Sequence, residues 1–202
     1  GCRDTATYAV QVNAIPTSSF TITPAVCAGS PVSVNYTGNA SAGSGYAWNF
    51  NGATVSSGSG QGPYSLVWNT SGIYSVSLTV TQNGCVSAPS SMPVTVNAIP
   101  DAAISATPSL CIGQANTINF SGTALPGAAY TWSFGSGTVN SGTGPGPYSV
   151  QWGSAGVEQL KVTVTQNGCK DSAQYNVTVF AIPTSSFTLP ANVCIAAPFT
   201  VS

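Results

Sequence analysis

Six cysteines in 202 residues carry most of the chemistry available to this chain, and their spacing is periodic. Cys27 and Cys111 lie 84 residues apart, as do Cys85 and Cys169, while Cys2 to Cys85 and Cys111 to Cys194 are each 83. They occupy two contexts, an aliphatic one (Val26-Cys27-Ala28, Leu110-Cys111-Ile112) and an Asn-Gly-Cys one (Asn83 to Cys85, Asn167 to Cys169). No pair has Cys-x-x-Cys spacing and the chain has no histidine, so the usual zinc ligand sets cannot be assembled. Disulfide formation is the chemistry that remains. In a chain rich in Ser, Thr, Gly and Asn it points to an oxidising, extracellular setting.

Other chemistries are excluded more directly. General acid-base work has no histidine to use, and the acids Asp4, Asp101, Glu158 and Asp171 lie far apart in the sequence, in different repeats or at repeat edges, so no catalysis and no cofactor are expected. Charged residues make up 3% of the chain against roughly 25% in ordinary soluble domains. Arg3, Lys161 and Lys170 are too few to form a phosphate-binding surface, which excludes nucleic acid as a partner. No apolar run approaches the roughly 20 residues of a membrane span. The Gly-rich stretches Ser56 to Pro63 and Ser141 to Pro147 neither open a helix nor contain a lysine, so they read as hairpin loops rather than phosphate cradles.

The elements that must position the cysteines repeat with the same period. TVTQNGC at 79–85 recurs at 163–169, and Trp48 and Trp68 recur as Trp132 and Trp152. Whole copies are expected at 13–96 and 97–179. Residues 1–12 match the last strand of a preceding repeat and 180–202 the truncated start of a following one, so the sequence reads as a window from a longer polypeptide. Each copy is large enough to bury a modest core of its own.

Within a copy the apolar residues alternate. Val76, Leu78 and Val80 share one face of a strand, as do Val32, Val34 and Tyr36, and Tyr64, Leu66 and Trp68, while helical periodicity is absent. Asn83-Gly84 and Asn167-Gly168 interrupt alternating runs and suit the positive φ angles of a tight hairpin. About seven short strands per copy predict an all-β fold of tandem immunoglobulin-like sandwiches. The junctions Ile15-Pro16, Ile99-Pro100 and Ile182-Pro183 leave almost no linker and favour an extended crossing, hence an extended rod.

The segments Tyr46-Ala-Trp-Asn-Phe-Asn-Gly52, Ser57 to Tyr64 and Gly72 to Val80, with Tyr130-Thr-Trp-Ser-Phe-Gly135, Gly142 to Tyr148 and Gly156 to Val164 in the second copy, resemble a PKD-like domain. Asn49, Asn51, Ser133 and Ser136 stand where that pattern is acidic, which removes the carboxylates a calcium site would use. Arrays with this cysteine arrangement resemble those of large Bacteroidota surface adhesins and type IX secretion substrates. That resemblance implies a stalk carrying a distal part away from the cell.

Two cysteine pairings are open. Spacing alone would close Cys27 with Cys85 and Cys111 with Cys169, in loops of 58 residues. If the first strand runs the length of the domain, however, Cys27 lies at the bottom and Cys85 at the top, roughly 23 to 33 Å apart. A disulfide needs Cα atoms within about 7 Å. The bottom of one domain meets the top of the next, so a staple from Cys27 to Cys169 is favoured, a pattern that could continue in further repeats. The cysteines of the partial repeats, Cys2 and Cys194, are expected to be unpaired within the window.

The remaining candidates are weaker. Trp48 and Trp132 are expected in the core, more firmly than Trp68 and Trp152. Tyr64 and Tyr148, at the ends of the Gly-rich loops, could make lateral contacts. Asp4-Thr5-Ala6 and Asp171-Ser172-Ala173 match the Asp-Ser/Thr-aliphatic sequon of Bacteroidota O-glycosylation, making Thr5 and Ser172 candidates and leaving Ser87, which follows Val86, unmodified. The expected function is a structural spacer in a long surface adhesin, its partners being neighbouring repeats of the same polypeptide. The alternatives are a bundling or polymerising filament that packs identical chains laterally, and a carbohydrate-binding module that takes surface glycans or polysaccharide.

Overall fold

The computed structural model describes residues 1–188 and 192, and every regular element among them is a strand. Two compact units are present, one comprising Gly1–Pro100 with Thr165–Lys170, the other Asp101–Val164 with the chain from Asp171 onward. The Asn-Gly-Cys turn of the second repeat thus belongs with the first unit.

In the first unit β1 (Phe20–Ile22), β3 (Pro31–Tyr36), β6 (Tyr64–Val67) and β5 (Thr54–Ser57) form one sheet in the order β1-β3-β6-β5. The second sheet runs β2 (Ala25–Cys27), β9 (Ser90–Asn97), β7 (Gly72–Gln82), β4 (Gly45–Asn49), with β8 (Cys85–Val86) also on β7. All pairings are antiparallel except β2 with β9, which is parallel. The first strand breaks at Thr23-Pro24 and changes sheet. Proline supplies no N–H for a ladder but leaves a carbonyl, and Pro24 O accepts the Thr95 N–H at 2.8 Å to start the parallel pairing. This split and the short β8 account for nine elements where about seven strands are expected.

The second unit repeats the plan. Its sheets run β10 (Ile104–Ser105), β12 (Ala115–Phe120), β15 (Tyr148–Gln151), β14 (Thr138–Ser141), and β11 (Ser109–Cys111), β17 (Cys169–Phe180), β16 (Gly156–Gln166), β13 (Ala129–Ser133). Here β11 is parallel to β17.

Alternation becomes a core between the two sheets. Val32, Val34 and Leu66 from one face meet Val76, Leu78, Val80, Val94 and Val96 from the other, all buried in one cluster. Each such aliphatic side chain contributes about 1.5–3 kcal/mol on leaving water. Ile118, Val150, Leu160, Val177 and Val179 do the same in the second unit. Asn83 (φ 48°) with Gly84 (φ 80°), and Asn167 (φ 47°) with Gly168 (φ 79°), take the left-handed pair of conformations a two-residue hairpin requires.

The tryptophans are ordered differently from expectation. Trp68 and Trp152 are 2% and 1% exposed, whereas Trp48 and Trp132 are only half-buried. Trp68 follows β6, an inner strand flanked by β3 and β5, so both sheets cover it. Trp48 lies on β4, the outer strand of its sheet, and its ring packs on Phe20, Phe50 and Tyr64.

Candidate functional site, the Cys27–Cys169 clasp

Cys27 is carried to its place by the parallel β2–β9 pairing, in which it stands opposite Asn97. The strand ends there in a fixed turn. Ala28 N donates to Asn97 O at 2.9 Å, Gly29 N to Trp68 O at 2.8 Å, and Ser30 N to Cys27 O at 3.0 Å. Gly29 sits at φ 76°, a conformation that costs a residue with a Cβ about 1–2 kcal/mol.

Cys169 arrives from the other side on the hairpin between β16 and β17. Asn97 Nδ2 donates to Asn167 O at 3.3 Å, and Gln166 Nε2 donates to Ala98 O at 3.3 Å, so two side-chain amides hold the turn against the end of β9. Cys27 and Cys169 are joined by a disulfide with their Cα atoms 5.7 Å apart. Cys169 is 1% exposed, with Sγ 4.0 Å from Asn97 O; this is a packing contact, since a disulfide sulfur has no proton to donate.

Within the first repeat, Cys27 and Cys85 stand at opposite ends of β7. Cys27 lies beside Asn97, just past the Gly72 end of β7, where Gly72 faces Val96; Cys85 faces Gln82 at the other end. The 11 residues of β7 span roughly 35 Å, far beyond disulfide reach. Cys85 and Cys111 are accordingly free thiols, as is the exposed Cys2, while Cys194 lies outside the described residues.

Elsewhere the candidate residues are occupied with structure. Tyr64 packs against Trp48 and Phe50 and donates to Gly60 O at 3.0 Å; Tyr148 packs against Trp132 and Phe134 and donates to Gly144 O at 3.3 Å. Both are half-buried. Burial raises the Tyr64 phenol above its ordinary range. Ser172 and Thr5 are exposed, whereas Ser87 is buried and its Oγ accepts the Val80 N–H at 3.0 Å. Asp171 is used locally, accepting from Ala102 N at 2.8 Å.

Glu158, isolated in the sequence, also has a structural role, accepting from Ser136 N at 2.9 Å and Ser136 Oγ at 2.5 Å. It closes the turn at Gly135 (φ 62°), as Asn49 Oδ1 does in the first repeat by accepting from Asn51 N at 2.9 Å. Among the described residues no three His, Cys, Asp or Glu side chains come together, and no buried side-chain nitrogen or oxygen lacks a partner. No helix among them is long and apolar enough to cross a membrane.

Comparison with known proteins finds distant structural similarity alone. No family model matches the sequence and no curated protein does. Among solved structures the chain is similar to the I-band fragment I67–I69 of titin, at 12% identity and TM-score 0.45, over 84% of this chain and 67% of that one. It is similar to the N-terminal eight immunoglobulin domains of Down Syndrome Cell Adhesion Molecule, at 12% identity and TM-score 0.48, over 84% of this chain and 25% of that one. Similarity to the insect immune protein hemolin is at 16% identity and TM-score 0.45, over 83% and 47%. The chain therefore spans a quarter of the second of these proteins and about half of the third. The strand orders themselves define immunoglobulin-like sandwiches.

Proposed function

We propose that the chain is a structural spacer of an extracellular surface protein, built to carry tension between its two ends. The observation that supports this is the placement of one covalent bond. Cys27 and Cys169 are 142 residues apart, and β3 through β16 lie wholly inside the loop they close. Tension applied at the termini passes from β2 through the disulfide into β17. It bypasses most of both repeats, which cannot be drawn out while the bond holds. In the chain-entropy model a loop of this length also stabilises the folded state by about 5 kcal/mol.

The bond requires an oxidising compartment, which agrees with an extracellular location. The PKD-like resemblance supports the finer reading, a repeat segment in a long adhesin whose neighbours are repeats of the same polypeptide.

Single-molecule extension of the chain, held at its ends, tests the proposal. Reduction is expected to add the 142-residue loop to the unfolding length, roughly 480 Å at about 3.4 Å per residue. Equal unfolding lengths with and without reductant would overturn it.

A second reading, lateral bundling of identical chains, is favoured by the sheet edges. β5 and β14 are outer strands, exposed at every residue, and hold neither charge nor proline. Such edges lack two of the common defences against pairing with another chain, although a register shift at Val55/Ser57 and Val139/Ser141 kinks both. Light scattering against concentration separates the readings, with a monomer throughout expected for the spacer.

A further inference from the structure

The free thiols Cys85 and Cys111 stand in the same surroundings as the two cysteines already joined. At Cys85, Asn13 Nδ2 donates to Asn83 O at 3.4 Å and the thiol donates to Asn13 O at 3.7 Å. Moved on by 84 residues, these atoms become Asn97 Nδ2 on Asn167 O at 3.3 Å and Cys169 Sγ beside Asn97 O at 4.0 Å. An Asn-Gly-Cys hairpin is thus already docked on its asparagine at residue 13, with its sulfur still reduced.

Cys111 reproduces the other half. It ends β11 in parallel register with Phe180, and Ile112 N donates to Phe180 O at 2.9 Å, Gly113 N to Trp152 O at 3.0 Å, and Gln114 N to Cys111 O at 3.1 Å. Gly113 has φ 77°. Each of these bonds has its counterpart around Cys27, so backbone and turn are set for a cysteine to arrive from a hairpin.

We propose that Cys85 and Cys111 are complementary halves of further clasps of the Cys27–Cys169 type, and that Asn13 positions Cys85 as Asn97 positions Cys169. Cys85 takes the strand-end cysteine of an adjoining repeat, and Cys111 takes the Asn-Gly-Cys cysteine of an adjoining repeat, in the same polypeptide. Closing each clasp joins two thiols with loss of two protons and two electrons, accepted by the disulfide of a thiol oxidoreductase, which leaves as a dithiol. The inference rests on the spacer reading and extends its tension path from one pair of repeats to a run of them. The clasp at Cys111 differs in one respect. Phe180 occupies the position of Asn97 and has no amide to hold the incoming hairpin, so this clasp closes more slowly.

The test is a disulfide map of the native full-length polypeptide, alkylated with N-ethylmaleimide before extraction and digested without reduction. The expected result is Cys111 joined to a peptide containing Asn-Gly-Cys and Cys85 joined to a strand-end cysteine peptide. Alkylation of either residue, or recovery of Cys85 joined to Cys111, to a second copy or to a small thiol, overturns the proposal. None of these outcomes bears on the unfolding length set by Cys27–Cys169, so the spacer reading stands or falls separately. The positioning role is read from kinetics in the isolated chain. Asn97→Ala should slow oxidative closure of Cys27–Cys169 roughly 5-fold, the equivalent of one hydrogen bond, with the melting of the reduced protein lowered by no more than that one bond. An unchanged closure rate would remove the role assigned to Asn97.

Discussion

Cys27 stands opposite Asn97 across the parallel β2–β9 pair, and this register puts a cysteine from early in a repeat at the end from which the chain departs. Antiparallel pairing of the first strand throughout would have left it no such neighbour. Because Asn97 is the last residue of β9 and its amide holds Asn167, the disulfide partner comes from the next repeat. The pairing of Cys27 with Cys169 thus follows from a change of sheet at Thr23-Pro24.

Loss of this bond should be felt in the whole chain rather than at one turn. Cys27→Ser is expected to destabilise the oxidised protein by about 2–5 kcal/mol, measured by urea unfolding. Cys85→Ser should leave stability within about 0.5 kcal/mol, since a serine hydroxyl can keep the contact the thiol makes with Asn13 O. A reversed ranking would mean that the bond does not close in solution.

The two tryptophans of a repeat should differ in cost. Trp68 is enclosed, stacked on Tyr74 with centroids 5.4 Å apart, and donates to Asn51 O at 3.3 Å. Trp68→Ala should cost about 3–5 kcal/mol. Trp48→Ala, at the rim of the sandwich, should cost about half that, since less of its area leaves water. Thermal melts of the two variants distinguish them.

These cases show what the sequence could reveal. Period-two alternation identified the buried faces of β3, β6 and β7, because one side of each strand must meet a core and the other water. Asn-Gly identified the hairpins, because few other pairs tolerate two positive φ angles. Whether a strand is inner or outer in its sheet is set by pairings distant in sequence, so the order of Trp48 and Trp68 was not legible. The spacing of the cysteines also leaves Cys27 with two candidate partners. The choice depends on where a three-residue strand pairs, which alternation over three residues cannot specify.

Gly38 marks a close approach that composition hides. A Cβ there would meet Tyr36 Oη and Thr17 O, and it would displace a phenol that donates to Thr17 O at 2.6 Å and accepts from Ala40 N at 2.9 Å. Gly38→Ala is expected to destabilise by about 2–3 kcal/mol, combining overpacking with a strained hydrogen bond. Gly84→Ala meets no atom and loses only the positive-φ preference, so about 1 kcal/mol is expected. Denaturant midpoints would order the two.

Sugar on the exposed Ser172 or Thr5 would compensate for a surface with few charges, since hydration and charge repulsion ordinarily keep a domain dispersed. The intact mass of protein from its natural source should exceed that of the polypeptide, and Ser172→Ala should reduce the excess. Ser87, buried with its hydroxyl bonded to Val80 N, should carry none. A mass equal to the bare chain rules the modification out.

Stability should fall on the alkaline side. Tyr46 donates to Ser41 O at 2.8 Å, and burial, with repulsion from Tyr36 next, raises its phenol above the ordinary value of about 10, against a smaller lowering by Ser44. Burial also raises Tyr64. A raised folded pKa means that the folded state holds the proton more tightly than the unfolded one. The stabilisation is therefore complete below about pH 10 and is lost as pH rises through the folded values. Urea midpoints of the Cys27–Cys169 form should decline above pH 10, and Tyr46→Phe with Tyr64→Phe should flatten the decline. A decline of equal slope in the double variant would place its origin in other groups.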